Sequence, residues 1–285
     1  MHVKNNIPTN RTLNHSFLIL TGNQAIFYGI LGMVYAVYVI PMLVLNSKCM
    51  MENSHHAGFL VLMCYDVSIQ AHVLITVNRF CAVFMPMVYR NLFSAKLTKR
   101  IVLASFLISI TILTIFFQFC KSRPISHHQR PLSVPCRCYY SEEALGFTYK
   151  DNPICWDYAT VNTAKILTMC IFNVLVDTIT IWKVRRIRSA HGVTKIQKKE
   201  IDFLKQSFGQ AIFLFICIPA LYIVPLFTTT PLAKFIMGTT FWASIHAVDG
   251  ALTLYFNVEI RKSLATQFKL NKGVSGPMQG IIGLL

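Results

Sequence analysis

Residues 17–45 read FLILTGNQAIFYGILGMVYAVYVIPMLVL, and no charged residue occurs anywhere from Thr12 to Ser47. A helix needs roughly 20 predominantly apolar residues to cross a bilayer. This run is ample, with Pro41 near its end. Five further apolar runs follow, at 57–84, 101–119, 158–182, 208–227 and 235–257. Together they predict an all-α, polytopic membrane helix bundle with six visible spans, forming one domain over 1–285.

Composition points the same way. Hydrophobic residues make up 54% of the 285 and charged residues 13%, about half the charged share of a soluble domain. Mean hydropathy is +0.51. A water-soluble enzyme and a disordered chain are both excluded. The remaining charge is strongly basic, 27 Lys and Arg against 11 Asp and Glu, which raises nucleic acid or a membrane surface as partner.

The positions of the basic residues decide between these. The segments before the first run and after the second, fourth and sixth carry 18 Lys and Arg, eight of them in 183–205. The alternate segments carry seven. By the positive-inside rule both termini face the cytosol, so the net charge is largely a topological signal. No basic stretch has the interleaved aromatics that stack on bases, and no nucleic-acid partner is expected. The polar N-terminus does not read as a cleaved signal peptide. Two sequons, at Asn10 and Asn14, fall on the cytosolic side in this topology and go unused. A glycosidase-sensitive gel shift would reverse the orientation.

At the inner end of the second run the sequence is Asn78-Arg79-Phe80-Cys81-Ala82-Val83-Phe84-Met85-Pro86-Met87-Val88-Tyr89. An Arg at a helix end can anchor at the interface or hold a cytosolic gate, and the Pro ends the helix. The pattern resembles the D-R-Y…P-x-x-Y segment of rhodopsin-like G-protein-coupled receptors at the same spacing. More closely, the chain resembles nematode chemoreceptors of serpentine receptor class X. Three blocks carry the likeness: N-R-F-C-A-V-F-x-P-x-x-Y with Asn91-Leu92-Phe93-Ser94; Cys138-x-Tyr140…Phe147…Cys155-Trp156; and Trp242-x-x-x-His246-Ala247-x-Asp249-Gly250 with Phe256-Asn257-x-Glu259-Ile260-Arg261.

The resemblance implies a rhodopsin-like bundle whose visible spans are helices 2–7. It also implies a small extracellular ligand, a heterotrimeric G protein and no cofactor. Leu13-Asn14-His15-Ser16-Phe17 resembles the first intracellular loop, so the chain is expected to begin just after helix 1. Asn78 stands where rhodopsin-like receptors have an acid. Only Cys217-Ile218-Pro219 represents the sixth-helix Cys-Trp-x-Pro, and Asn-Pro-x-x-Tyr is missing from the seventh. The implied G-protein face comprises Asn78, Arg79, Phe80, Pro86, Tyr89, Arg185 and Arg186. The implied location is a plasma or ciliary membrane of sensory cells.

Polar groups inside spans are functional suspects because they are costly in lipid. Tyr65, Ile69, His72, Thr76 and Arg79 recur at helical spacing on one face, with Asp66 and Gln70 alongside. Asp66 lies 13 residues before Arg79, about 20 Å nearer the outside. That depth suits a ligand cavity or an interhelical hydrogen bond. The last span carries His246, Asp249, Thr253 and Asn257 as a stripe, and the fourth carries Asn162, Lys165, Asn173, Asp177 and Thr180. Asp66, Gln70, Lys165 and His246 are the ligand-cavity candidates, though Lys165 can also snorkel outward. His72, Asp177, Asp249 and Asn257 form the candidate switch network, with static helix–helix glue as the plainer reading.

The extracellular loop is an oxidising environment. Cys138–Cys155 is the preferred disulfide there, with Cys136 competing. His127-His128…Cys136-x-Cys138 lacks the paired spacing of a zinc site, so no metal is expected. No phosphate loop, G-x-S-x-G or H-E-x-x-H occurs, which argues against an enzyme. Residues 258–270 read as an interfacial amphipathic helix and 271–285 as a Gly-containing tail. Besides a signalling receptor, two readings stay open: a non-signalling fragment, and a transporter or channel subunit. Neither inverted repeats nor paired broken helices support the last.

Overall fold

The computed structural model describes residues 11–119, 136–143, 145–149, 153–191, 208–220 and 230–256, with isolated positions 206, 223, 227 and 266. Helix α1 spans Arg11–Val34 and continues through a π-helical turn, Tyr35–Val39, into α2, Ile40–Val44. Pro41 explains the turn. Its ring cannot accept the regular i→i−4 ladder, and one wider turn, closed by the Ile40 N–H on the Tyr35 carbonyl, absorbs the mismatch. Asn46 then takes a left-handed φ of 47°, which Asn tolerates. Ser47 caps the short α3, Lys48–Glu52.

Helix α4, Ser54–Phe84, is 31 residues long, about 46 Å at 1.5 Å per residue. It is the axis of the bundle. Of its apolar window 72% is buried, against 17–28% in the other three long apolar helices. The helix stops at Met85 because Pro86 opens α5, Pro86–Leu92. Under it Cys81, Tyr89 and Phe93 pack together, and the Ser16 hydroxyl donates to the Phe93 carbonyl. Helix α6, Ala95–Phe119, returns outward. Its many exposed apolar side chains, including Leu103, Leu107, Ile108 and Ile115, suit a lipid-facing position.

A two-stranded antiparallel hairpin, β1 Cys138–Ser141 and β2 Gly146–Tyr149, pairs Cys138 with Tyr149 and Ser141 with Gly146. It lies across the outer end of α4. The Tyr140 N–H donates to Ser54 Oγ at 3.0 Å. Tyr140 and Thr239 hydroxyls meet at 3.4 Å, and Thr239 donates to the Leu145 carbonyl at 2.6 Å.

The hairpin sits so close to α4 that a Cβ on Gly58 would lie 2.1 Å from the Cys138 carbonyl oxygen. Since the obstacle is backbone, Gly58→Ala must push hairpin and helix apart. The expected cost is about 1–3 kcal/mol, read as a lower midpoint in thermal unfolding of the purified protein; an unchanged midpoint would refute this packing.

Helix α7, Pro153–His191, has 39 residues, about 58 Å, well beyond a hydrocarbon core of about 30 Å. Its last turns therefore leave the membrane, carrying exposed Arg185 and Arg186. The shorter apolar α8, Phe208–Ala220, follows. Thr230 then caps α9, Pro231–Phe235, which passes through a π turn, Ile236–Thr240, into α10, Phe241–Phe256. The four long apolar helices contain residues 16–44, 54–84, 95–117 and 155–187.

The structure corrects the expected disulfide. Cys155 is bonded to Cys136, and Cys138 is a buried thiol. Cys136 and Cys155 pack with Phe116 and Tyr149, whereas Cys138 turns into the main apolar core beside α4. Burial pushes the Cys138 thiol up to about 12, which leaves little thiolate to attack the neighbouring bond.

Candidate functional site: a buried polar column through the bundle

Polar side chains line a column from the middle of the bundle to the end where α4 meets α5. At its centre stands Asp249 on α10, fully buried. Its Oδ2 accepts from Gln24 Nε2 at 2.8 Å and lies 3.2 Å from His72 Nε2. The same His72 nitrogen is 2.9 Å from Gln24 Nε2 and 2.8 Å from the Tyr28 hydroxyl. One imidazole nitrogen cannot donate and accept at once. His72 Nε2 therefore either donates, to Asp249 or Tyr28, or accepts, from Gln24 or Tyr28, and the site has two internal hydrogen-bonding arrangements.

Gln210 on α8 extends the network, donating to Thr253 Oγ1 at 2.8 Å and to the Asp249 carbonyl at 3.2 Å. Helices α1, α4, α8 and α10 are thus joined at one level. The residue spacing explains this. Gln24 and Tyr28 are i, i+4 on α1, and Asp249 and Thr253 are i, i+4 on α10, so each pair presents one face.

Above the centre, aromatic rings take over. His246 lies 5.1 Å from the Tyr28 ring and 5.6 Å from Tyr65, which meets Trp242 edge-on at 5.8 Å. Both His246 ring nitrogens are buried and lack a hydrogen-bond partner among the described residues. A cavity of about 440 Å³ lies between α1 and α10, bordered by Gln24, Tyr28, His246 and Thr253 with small residues such as Gly29 and Ala251.

A second cluster joins α4, α6 and α7. Lys165 Nζ donates to Asp66 Oδ1. The other Asp66 oxygen accepts from Gln70 Nε2 at 2.8 Å. Gln70 also donates to Ser109 Oγ at 2.7 Å and accepts from Ser105. Lys165 therefore turns inward onto a carboxylate rather than snorkelling to the interface. The pairing follows from register: Asp66 is the twelfth residue beyond Ser54 and Lys165 the twelfth beyond Pro153, so two helices that run in the same direction bring them to one depth.

At the C-terminal end of α4, Arg79 is 8% exposed and Asn78 2%. The guanidinium stands 5.3 Å from the Phe17 ring, and its three nitrogens have no hydrogen-bond acceptor among the described residues. Asp177 stands on α7 at a similar depth, and Thr76 Oγ1, one turn before Arg79, donates to Asp177 Oδ2 at 3.4 Å. Phe80 stacks on Phe84 at 4.5 Å and Tyr89 on Phe93 at 5.4 Å. Pro86, Arg185 and Arg186 are exposed, the last with its guanidinium over Trp182.

Among the sequence candidates, the structure brings His72 to Asp249, Asp66 to Gln70 and Lys165, and Arg79 toward Asp177. Asn257, the 258–270 segment apart from position 266, the tail and Asn10 lie outside the described residues. Sequence reasoning missed Gln24 and Tyr28, hidden in a run read only for its lack of charge. It also missed Gln210, Ser105 and Ser109. Their helical spacing with Thr21 was the available signal on α1.

Comparison with known proteins places this geometry. The family model described as "Serpentine type 7TM GPCR chemoreceptor Srx" matches residues 3–257. Serpentine receptor class X 45 of Caenorhabditis elegans is 25% identical over 272 residues, covering 88% of this chain and 72% of the relative. Serpentine receptor class X-43 of the same organism is 23% identical over 237 residues, covering 79% and 69% respectively. A likeness that runs through nearly every helix of the bundle is one of fold and family alike: the chain belongs to the class X serpentine family of seven-transmembrane G-protein-coupled chemoreceptors, membrane receptors and not enzymes.

Proposed function

We propose that this chain binds a small extracellular ligand within the bundle and passes the signal to a heterotrimeric G protein at the face formed by Arg79, Tyr89, Arg185 and Arg186. In this reading it acts at the plasma or ciliary membrane of a sensory cell, with both termini cytosolic. The observation that carries it is the state of Arg79: a cation in the receptor motif, buried, held against Phe17 and near Asp177, without a hydrogen-bond acceptor among the described residues.

Such a group has little reason to stay where it is once a better partner is offered. A ligand that favours the arrangement in which Arg79 is released shifts the population toward the state that binds the G protein. The His72–Asp249 network, with its two hydrogen-bonding arrangements, is the element that the ligand would bias.

The test is surface expression in a heterologous cell with a ligand panel and a calcium or cAMP readout. An activating ligand is expected. Against it, Arg79→Ala should lower signalling potency by roughly tenfold or more, the scale of ordinary allosteric coupling, while surface level stays near wild type. Wild-type signalling from Arg79→Ala would remove Arg79 from the mechanism. Surface protein that answers no ligand and supports no G-protein activation would overturn the receptor reading itself, in favour of a non-signalling chain.

A further inference from the structure

The geometry points to Lys165 as the anchor for a ligand carboxylate, making organic acids with an apolar body the ligand class of this receptor; the inference rests on the ligand-binding reading above. It begins with an asymmetry in the ion pair. Asp66 is nearly saturated: one oxygen takes Lys165, the other takes Gln70 at 2.8 Å, and Gln70 is fixed by Ser105 and Ser109 on α6. Its side chain is 9% exposed. The carboxylate is a built and buried half-site.

The ammonium is not. It has three donors, of which one is occupied among the described residues, by Asp66, and the Lys165 side chain is 35% exposed. Lys165 and Asp66 both lie twelve residues into their helices, about 18 Å below the outer helix ends and well inside a hydrocarbon core of about 30 Å. An ammonium with spare donors at that depth is costly unless an acceptor covers it.

An anion meets that need, and a carboxylate can take two ammonium protons at once. A cationic ligand does not fit, since Asp66, the carboxylate of the cluster among the described residues, is already paired with Lys165 and Gln70. Met169, one turn beyond Lys165 on the same helix face, is only partly buried where it packs against the apolar cluster of Ile166 and Leu214, which favours an apolar body behind the acid group. The bound acid would share Lys165 with Asp66, or replace it while Gln70 continues to hold Asp66 in place.

Purified full-length protein in lipid nanodiscs, melted in the presence of short- and medium-chain saturated carboxylates and their matching alcohols and amines, tests this directly. At least one carboxylate should raise the melting temperature where its alcohol and amine do not. Lys165→Met should abolish the shift and Lys165→Arg should retain it. Asp66→Asn should bind the acid several-fold more tightly, because the internal competitor for the ammonium has lost its charge. A merely structural ion pair predicts the opposite for Asp66→Asn, with no acid selectivity. No shift with any acid, a shift kept in Lys165→Met, or weaker acid binding in Asp66→Asn each overturns the proposal. Should Lys165→Met fail to fold, Lys165→Arg and Asp66→Asn still decide. Signalling evoked only by neutral or cationic ligands would end this inference and leave the receptor reading standing. Acid binding without G-protein activation would do the reverse.

Discussion

Asp249→Ala is expected to destabilise the bundle by about 3–5 kcal/mol, the usual loss when one member of a buried polar pair is removed. The carboxylate is fully buried, accepts from Gln24 on α1 and lies 3.2 Å from His72 Nε2 on α4. Taking it away leaves Gln24, His72 and Tyr28 to satisfy one another with no anionic acceptor, and each buried donor that fails to find a partner costs about 1–3 kcal/mol. Asp249→Asn keeps an oxygen at the same place and should recover most of the loss. The measurement is thermal unfolding in nanodiscs for the two variants side by side. If alanine and asparagine behave alike, hydrogen bonding at Asp249 is not what holds α1, α4 and α10 together.

The contrast between those variants also separates stability from switching. Asparagine replaces one acceptor oxygen of the carboxylate with an amide donor, so it should fold well yet shift the balance between the two hydrogen-bonding arrangements. A stable Asp249→Asn receptor with altered basal signalling is the expected pattern. Basal signalling identical to wild type would assign the network to packing alone.

Much of this architecture is legible in the amino-acid sequence. A charge-free run, repeated apolar runs and an alternating basic count define a membrane bundle, because lipid leaves the backbone few other options. Asp249 and His72 stand out because polar residues in such runs are rare. What periodicity cannot supply is pairing. Asp66 and Lys165 are 99 positions apart in sequence, and only the helix starts at Ser54 and Pro153 show that they share a depth. Without those boundaries Lys165 reads as an interfacial residue free to snorkel. Gln24 escapes for another reason: an amide in an apolar run carries no charge to draw notice, although its two donors make it the hub of the network.

The disulfide shows the same limit at closer range, and its test has the second large effect. Cys136→Ser is expected to cost about 2–5 kcal/mol, since the bond joins residues 19 apart and such a loop is worth roughly 3 kcal/mol in the chain-entropy model. Cys138→Ser leaves that bond intact and should cost less, through a hydroxyl placed in the apolar core beside Gly58. Spacing alone could not rank them, because either cysteine closes a loop of similar length. Side-chain direction decides: Cys138 is committed by strand pairing with Tyr149 and by the close approach of its carbonyl to Gly58, so it cannot swing to Cys155 without undoing the hairpin. In Cys136→Ser, therefore, Cys155 should remain a free thiol that alkylates without prior reduction. Peptide mapping of alkylated protein reads this directly, and a Cys138–Cys155 bond in that variant at wild-type stability would show that the two cysteines are interchangeable.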